Sequence, residues 1–168
     1  MRVAEGYRIA LLVLSDKAAS GQRADESLPA MRAALPPGCI VVTEKVLPDN
    51  SDALQAALRA LSDAERVDGI FTSGGTGLAV RDITPQATLA VADYEVPGLA
   101  EAMRLRTAQA VPQAILSRAV AAVRGRTLIV NLPGNPKAVR ETLAVIAPVL
   151  GHAFDVLRGV VGEHAASG

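Results

Sequence analysis

The sequence predicts an α/β fold, a mostly parallel sheet in a three-layer α/β/α sandwich, and two observations predict it. Short apolar or β-branched runs alternate with helical patterns along the chain, an order that places parallel strands beneath helices on both faces. Half of the 168 residues are hydrophobic, enough for one compact domain with a real core rather than two small ones, so a single domain over 1–168 is expected.

Four runs read as buried strands: "YRIALLVL" (7–14), "CIVVTEKV" (39–46), "GIFTS" (69–73) and "TLIVNL" (127–132). Between the first two, Leu28, Met31, Ala34 and Leu35 repeat at helix spacing behind Asp25, a natural N-cap. After the second, Leu54, Ala57, Leu58 and Leu61 do the same behind Ser51. Thr84 and Pro85 read as cap and first residue of the helix "PQATLAVAD". The stretch 94–126 reads as a helix opened by Pro97-Gly98 plus an irregular connection, which "VPQAILSR" interrupts. Asn135 and Pro136 then cap and start the last helix.

Composition removes several classes of function. The 17 basic and 17 acidic residues cancel, so no global field draws the chain to nucleic acid or to an anionic membrane. The aromatic residues Tyr7, Phe71, Tyr94 and Phe154 are too few for the stacking platforms of single-strand binders. The apolar stretch "IALLVL" ends in "SDK" and is too short for a signal peptide or a membrane span, which makes a cytoplasmic protein the expectation. Cys39 has no cysteine partner and reads as a core thiol. His152 and His164 are isolated and lack metal-ligand spacing, which argues against zinc and against Ser-His catalysis.

Sheets of this kind bind ligands beyond the carboxyl ends of their strands. Four polar segments fall there: "SDKAASGQRAD", "LPDNSD", "SGGTGLAVRDITP" and "PGNPK". In the third, Gly74, Gly75 and Gly77 allow successive N–H groups to face one concavity and cradle an anion, with Ser73 and Thr76 as hydroxyl donors. The loop is neither a P-loop, since the Lys-Ser/Thr pair is missing, nor a dinucleotide fingerprint, whose sixth position counted from Gly75 is Val80. A glycine-rich turn from strand to helix is the alternative reading of the glycines alone.

Asp82 follows the glycines, and a carboxylate beside a phosphate cradle calls for a cation between them, typically Mg2+ shared with substrate phosphates. Asp49 in "LPDN" faces the same rim, so the two could share a metal or flank one phosphate. Each also has a structural alternative: turn chemistry for Asp49, pairing with Arg81 or a second cap for Asp82. Lys137 lies in a first helical turn where the dipole disfavours a cation; a bound anion would relieve that, but a solvated surface lysine is equally well explained.

Taken in order, "LSDKAASG", "TSGGTGLAVRDITPQAT", "VPQAILSR" and "NLPGNPK" resemble the molybdopterin adenylyltransferase family, of the MogA, MoaB and gephyrin G-domain type, from about Arg8 to about Leu150. The resemblance implies the molybdenum cofactor biosynthesis fold, a homotrimer, and transfer of AMP from Mg-ATP to the terminal phosphate of molybdopterin with release of pyrophosphate. It implies a molybdate-inserting partner protein for the product. It carries the family's two functional aspartates onto Asp49 and Asp82, with Mg2+ as their metal, and its glycine loop onto Ser73, Gly74, Gly75, Thr76 and Gly77. Ser15 and Asp16 of the first loop, Ser117, and Asn131, Pro133, Gly134 and Asn135 match its substrate- and nucleotide-binding segments. Two alternatives stay open: a noncatalytic molybdopterin-binding trimer of the MoaB-like kind, and a phosphohydrolase of related fold in which water attacks.

Overall fold

The computed structural model describes residues 6–160. Its strands are β1 (Tyr7–Leu14), β2 (Cys39–Leu47), β3 (Gly69–Ser73), β4 (Tyr94–Glu95), β5 (Ala121–Arg124) and β6 (Thr127–Leu132). Its α-helices are α1 (Asp16–Ala19), α2 (Ser27–Ala34), α3 (Ser51–Arg59), α4 (Thr84–Val91), α5 (Pro97–Ala108) and α6 (Pro136–Arg158). One sheet runs in the order β2-β1-β3-β6-β5-β4, with β2, β1, β3 and β6 parallel and β5 and β4 joined by antiparallel pairing.

The four strands expected from the apolar runs are all present. What the sequence reading of 94–126 misses is the pair β4 and β5. β4 is only two residues long and β5 is "AAVR", neither long enough to display a period, and their existence depends on the edge that β6 offers for pairing.

The central strands β1, β3 and β6 are buried on both faces, and strand alternation divides one hydrophobic sequence between two cores. Ile9, Leu11 and Val13 of β1 pack with Met31 of α2, Met103 of α5 and Leu143, Leu150 and Phe154 of α6. Ala10, Leu12 and Leu14 point the other way, toward Leu54 and Leu58 of α3 and Ala87 and Val91 of α4. The three-layer sandwich follows.

Caps differ in detail from the expected ones. Asp25 accepts from the N–H groups of Ser27 (2.9 Å) and Leu28 (3.0 Å), capping α2 as expected. At α3 the cap is Asn50, which accepts from Ala53 N–H at 2.9 Å, and Ser51 is the first helical residue; either residue type serves, and the chain turns one position earlier. Thr84 is not a cap but a fully buried first residue of α4, its hydroxyl held inside the protein. Asn135 caps α6 through Lys137 and Ala138 N–H, with Pro136 at its first position as expected. The "VPQAILSR" interruption is a 3-10 turn, Pro112–Leu116. Cys39 is half-buried against the α2/α6 core, and burial pushes its thiol up to about 11. His152 is exposed, and His164 lies outside the described residues.

A polar staple closes the sheet end opposite the loops named above. Arg158 donates to both carboxylate oxygens of Asp68, each at 2.7 Å, and to Gly6 O, while its guanidinium lies 4.9 Å from the Tyr7 ring centroid. Tyr7 donates to Asp155 at 2.9 Å. That bond, with burial, raises the phenol above its ordinary value.

Candidate functional site

Because β2, β1, β3 and β6 are parallel and adjacent, their carboxyl ends meet at one edge of the sheet: Leu14 pairs with Leu47, Val13 with Ser73, and Ser73 with Leu132. The four polar segments therefore lie side by side. Backbone bonds carry the pairing past the strands, from Ser15 N–H to Leu47 O (2.9 Å) and from Gly74 N–H to Leu132 O (3.2 Å).

The first two loops hold each other. Asp49 N–H donates to Asp16 Oδ1 at 2.8 Å and Asp16 N–H to Asp49 Oδ2 at 3.4 Å, a reciprocal clasp. Ser15 accepts from Ala18 N–H and so caps the short helix α1. Burial raises the Asp49 carboxyl above its ordinary value, with Asp16 and Asp82 adding repulsion and the Asp16 N–H and Arg81 opposing it. Asp49 thus feels both of the other carboxylates here.

The glycine loop is fixed from beneath. Gly74 and Gly75 have φ of 98° and 70°, the left-handed region that glycine alone enters freely, and a Cβ on Gly75 would overlap the Thr84 hydroxyl. That hydroxyl donates to Gly74 O at 2.9 Å; Thr88 donates to Thr84 O at 2.8 Å; Asn131 Nδ2 reaches both Thr88 and Thr72 at 3.0 Å. Asn131 Oδ1 accepts from Val120 N–H at 3.2 Å, so its side chain is committed to a buried polar chain that ends at the loop. Ser73 is likewise buried, donating to Pro133 O at 2.7 Å and tying the glycine loop to the "PGN" turn.

With those tethers made, the N–H groups of Gly75, Thr76, Gly77 and Leu78 have no hydrogen-bond acceptor among the described residues. Successive unpaired donors after left-handed glycines form a concavity suited to an anion. Asp82 sits beside them: its Oδ2 accepts from Ala79 N–H at 2.9 Å and lies only 2.8 Å from where a Cβ on Gly77 would be. Among the described residues it makes no ion pair with Arg81, so the pairing alternative is not what occupies it.

Two depressions flank the loop. The larger, about 410 Å³, is walled by Thr76, Gly77, Ser117, Asn131 and Pro133 together with apolar surface from α5 and the 3-10 turn. The smaller, about 100 Å³, lies between the first loop and α2, with Ser15, Ser73, Gly74, Gly134 and Arg23 in its wall. Asp49, Asp82 and Asn135 line neither. Lys137 is an exposed side chain 3.9 Å from Glu141, the solvated lysine of the structural alternative.

Metal-ligand chemistry is limited to oxygen. Among the described residues no group of three His, Cys, Asp or Glu gathers as a metal cage. Asp49 and Asp82 do fit a divalent hard cation shared with phosphates: no hydrogen bond among the described residues engages Oδ1 of either, and their mutual repulsion favours a positive charge nearby.

The residue that sequence reasoning missed is Arg118, next to Ser117. Its Nε donates to Gly77 O at 2.8 Å and its Nη2 to Asp82 O at 2.7 Å. The motif "LSR" directs attention to the hydroxyl; nothing local in a sequence announces an arginine bonded to carbonyls some forty positions away.

Fold and rim together define a class, α/β proteins with an anion-binding crevice beyond the carboxyl ends of parallel strands. The model of one family, the probable molybdopterin binding domain, matches residues 10–152, and the chain belongs to that family. It is 42% identical over 139 residues to a molybdopterin adenylyltransferase of Haemophilus influenzae, covering 81% of this chain and 71% of that one. It is 41% identical over 156 residues to one of Escherichia coli, covering 91% and 79%. Among solved structures, the molybdopterin biosynthesis enzyme MoaB of Thermus thermophilus superposes with a TM-score of 0.87 at 48% identity, covering 91% of this chain and 97% of that one. No helix among the described residues is long and apolar enough to cross a membrane.

Proposed function

We propose that this protein is a molybdopterin adenylyltransferase of molybdenum cofactor biosynthesis, joining AMP from ATP to the terminal phosphate of molybdopterin. The observation that carries the reading is the convergence, at one sheet edge, of four unpaired backbone donors at 75–78 with the carboxylates of Asp49 and Asp82. The identity of about two residues in five to proteins of that name supports the choice of substrate.

In this reaction an oxygen of the pterin phosphate attacks the α-phosphorus of ATP, a new P–O–P link forms, and the bond to the β-phosphate breaks as pyrophosphate departs. Both reactants are anions, so the barrier is largely repulsion and alignment. The 75–78 amides would bind the anionic substrate and hold it in line, donating to oxygens on which charge accumulates. Asp49 and Asp82 would hold Mg2+, which supplies the neutralising charge between attacking and departing phosphates. Thr76 and Ser117 would orient a substrate in the larger depression, where both sit in the wall. The Ser15–Asp16 and Pro133–Asn135 turns would complete the rim. No covalent nucleophile is required.

A homotrimer in the cytoplasm, passing its product to a molybdate-inserting protein, belongs to the same reading. The exposed apolar side chains of Leu105, Val111, Ile115 and Leu116 support a subunit interface on that face, and light scattering gives the mass. A second reading, molybdopterin binding without catalysis, is separated from the first by the assay that follows.

Purified protein given molybdopterin and Mg-ATP should yield adenylylated pterin and pyrophosphate. Asp49→Asn and Asp82→Asn should each lower kcat by at least about a hundredfold with unchanged circular dichroism. Full activity in both variants overturns the assignment. Tight molybdopterin binding without turnover by the wild type selects the second reading, and orthophosphate in place of pyrophosphate selects a phosphohydrolase.

A further inference from the structure

We propose that Arg118 is the positioning residue of the catalytic loop, the group that sets where Asp82 and the 75–78 amides stand. The inference rests on the transferase reading for its kinetic consequence, but its structural content is independent of it.

The segment between the last glycine and α4 has one apolar anchor, Ile83 at its far end, which packs on the α3/α4 core. Leu78 is 67% exposed and Val80 fully exposed, so the side chains that would normally pin a loop to a core face solvent instead. Within the loop, only the turn between Ala79 and Asp82 contributes bonds of its own, Asp82 N–H to Ala79 O and Ala79 N–H to Asp82 Oδ2, both 2.9 Å. That turn fixes the loop's internal shape and says nothing about where it sits on the protein.

Arg118 supplies a reference point for the middle of the loop, which Ile83 and Thr84 hold only at its ends. Its guanidinium bonds Gly77 O at 2.8 Å and Asp82 O at 2.7 Å, bracketing that middle stretch, and its own N–H donates to Thr76 O at 2.9 Å. Three hydrogen bonds from one half-buried residue thus join a loop whose residues 78–81 bond no side chain from elsewhere in the protein, among the described residues. The reference point is itself held: Arg104 of α5 donates from Nη1 to Ala119 O at 2.7 Å and to Ser117 O at 3.3 Å, gripping the carbonyls on either side of Arg118. Two arginines therefore clamp in series, α5 to the 117–119 strand entry and that entry to the loop. Ser117 and Ala119 also wall the larger depression, so the same anchored segment defines one side of the substrate space and the position of the aspartate.

The planar fork of arginine is needed for this. Nε and Nη2 point in parallel and reach two carbonyls at once; a lysine ammonium is a single point charge on a flexible stem and can hold one.

The test compares full-length wild type with Arg118→Ala, Arg118→Lys and Asp82→Asn. Arg118→Ala is expected to lower kcat ten- to a hundredfold and to raise the KM for molybdopterin as well, because misplacing a reacting group by an ångström carries that scale of loss and the amides that hold the anion shift with it. Arg118→Lys should recover only part of it. Millimolar guanidinium should restore turnover to Arg118→Ala and not to Asp82→Asn. Hydrogen–deuterium exchange should quicken in Arg118→Ala at the hydrogen-bonded amides of Ala79, Asp82 and Thr84 and remain unchanged in β1 and β3. Wild-type kcat in Arg118→Ala, or lost turnover with neither guanidinium rescue nor quicker exchange at Ala79, Asp82 and Thr84, overturns the proposal. If the wild type itself does not adenylylate molybdopterin, the transferase reading fails by that result, and the exchange data alone decide whether Arg118 fixes the loop.

Discussion

Replacing Thr84 by valine isolates the polar chain beneath the glycine loop. The two side chains have nearly the same shape, so no cavity opens, and Thr84 is completely buried, so no water can replace what is lost. The change deletes the 2.9 Å bond to Gly74 O and leaves that carbonyl facing a methyl group. Leaving one buried acceptor unsatisfied costs about 1–3 kcal/mol. The backbone bonds of Thr84 to Gly75 and Thr88 remain, which keeps the loss to this one contact. For a domain of this size each kcal/mol lowers Tm by about 2–4 °C, so a drop of roughly 4–8 °C is expected at the middle of the range. Scanning calorimetry reads it, and urea unfolding should show a lower midpoint at unchanged m. Thr43→Val is the control: its hydroxyl bonds Glu65 at the surface, and the change should stay within about 0.5 kcal/mol. A Tm shift in Thr84→Val no larger than the control's would refute the claim that this bond anchors the loop.

Three further outcomes follow from the same reasoning. Gly75→Val, at φ 70° and against the Thr84 hydroxyl, should weaken molybdopterin binding about tenfold or more in titration calorimetry, and an unchanged Kd would count against the anion cradle. Arg158→Ala should destabilise by about 2–3 kcal/mol in urea, since it strands an Asp68 whose side chain is only 11% exposed, whereas Lys137→Ala at its exposed pair should change stability by under about 1 kcal/mol. With its thiol pushed up to about 11, Cys39 should alkylate with iodoacetamide far more slowly at pH 8 than a free cysteine, and the rate should climb as pH approaches 11; brisk labelling of folded protein at pH 8 would contradict the burial.

β1, β3 and β6 are legible in the sequence because both sheet faces are buried there, and β2, at the edge, through its β-branched run "CIVVTEKV"; their parallel order predicts the site edge before any side chain is placed. β4 and β5 are not legible, since short antiparallel additions owe their existence to the partner edge. Residue type is a good guide to where the site lies and a poorer guide to what each residue does there. Asn131, Ser73 and Asn135 occur in the motifs as polar ligand-binding candidates, yet their side chains respectively complete a buried network, tie two loops and cap a helix.

That division has a physical origin. A loop that must present bare N–H groups to a ligand cannot satisfy them internally, and it cannot cover them with apolar side chains without closing the site. Its rigidity must therefore come from its carbonyls and from groups below it. Here Gly74 O is held by the Thr84 hydroxyl, Gly75 O by the Thr84 N–H, Thr76 O by the Arg118 N–H, and Gly77 O by the Arg118 guanidinium. Four consecutive carbonyls are anchored while the N–H groups of Gly75 to Leu78 stay open. Asn131, a ligand-binding candidate in sequence, serves that asymmetry with Thr72, Thr84 and Thr88, fixing the back of a loop whose front is left for a ligand.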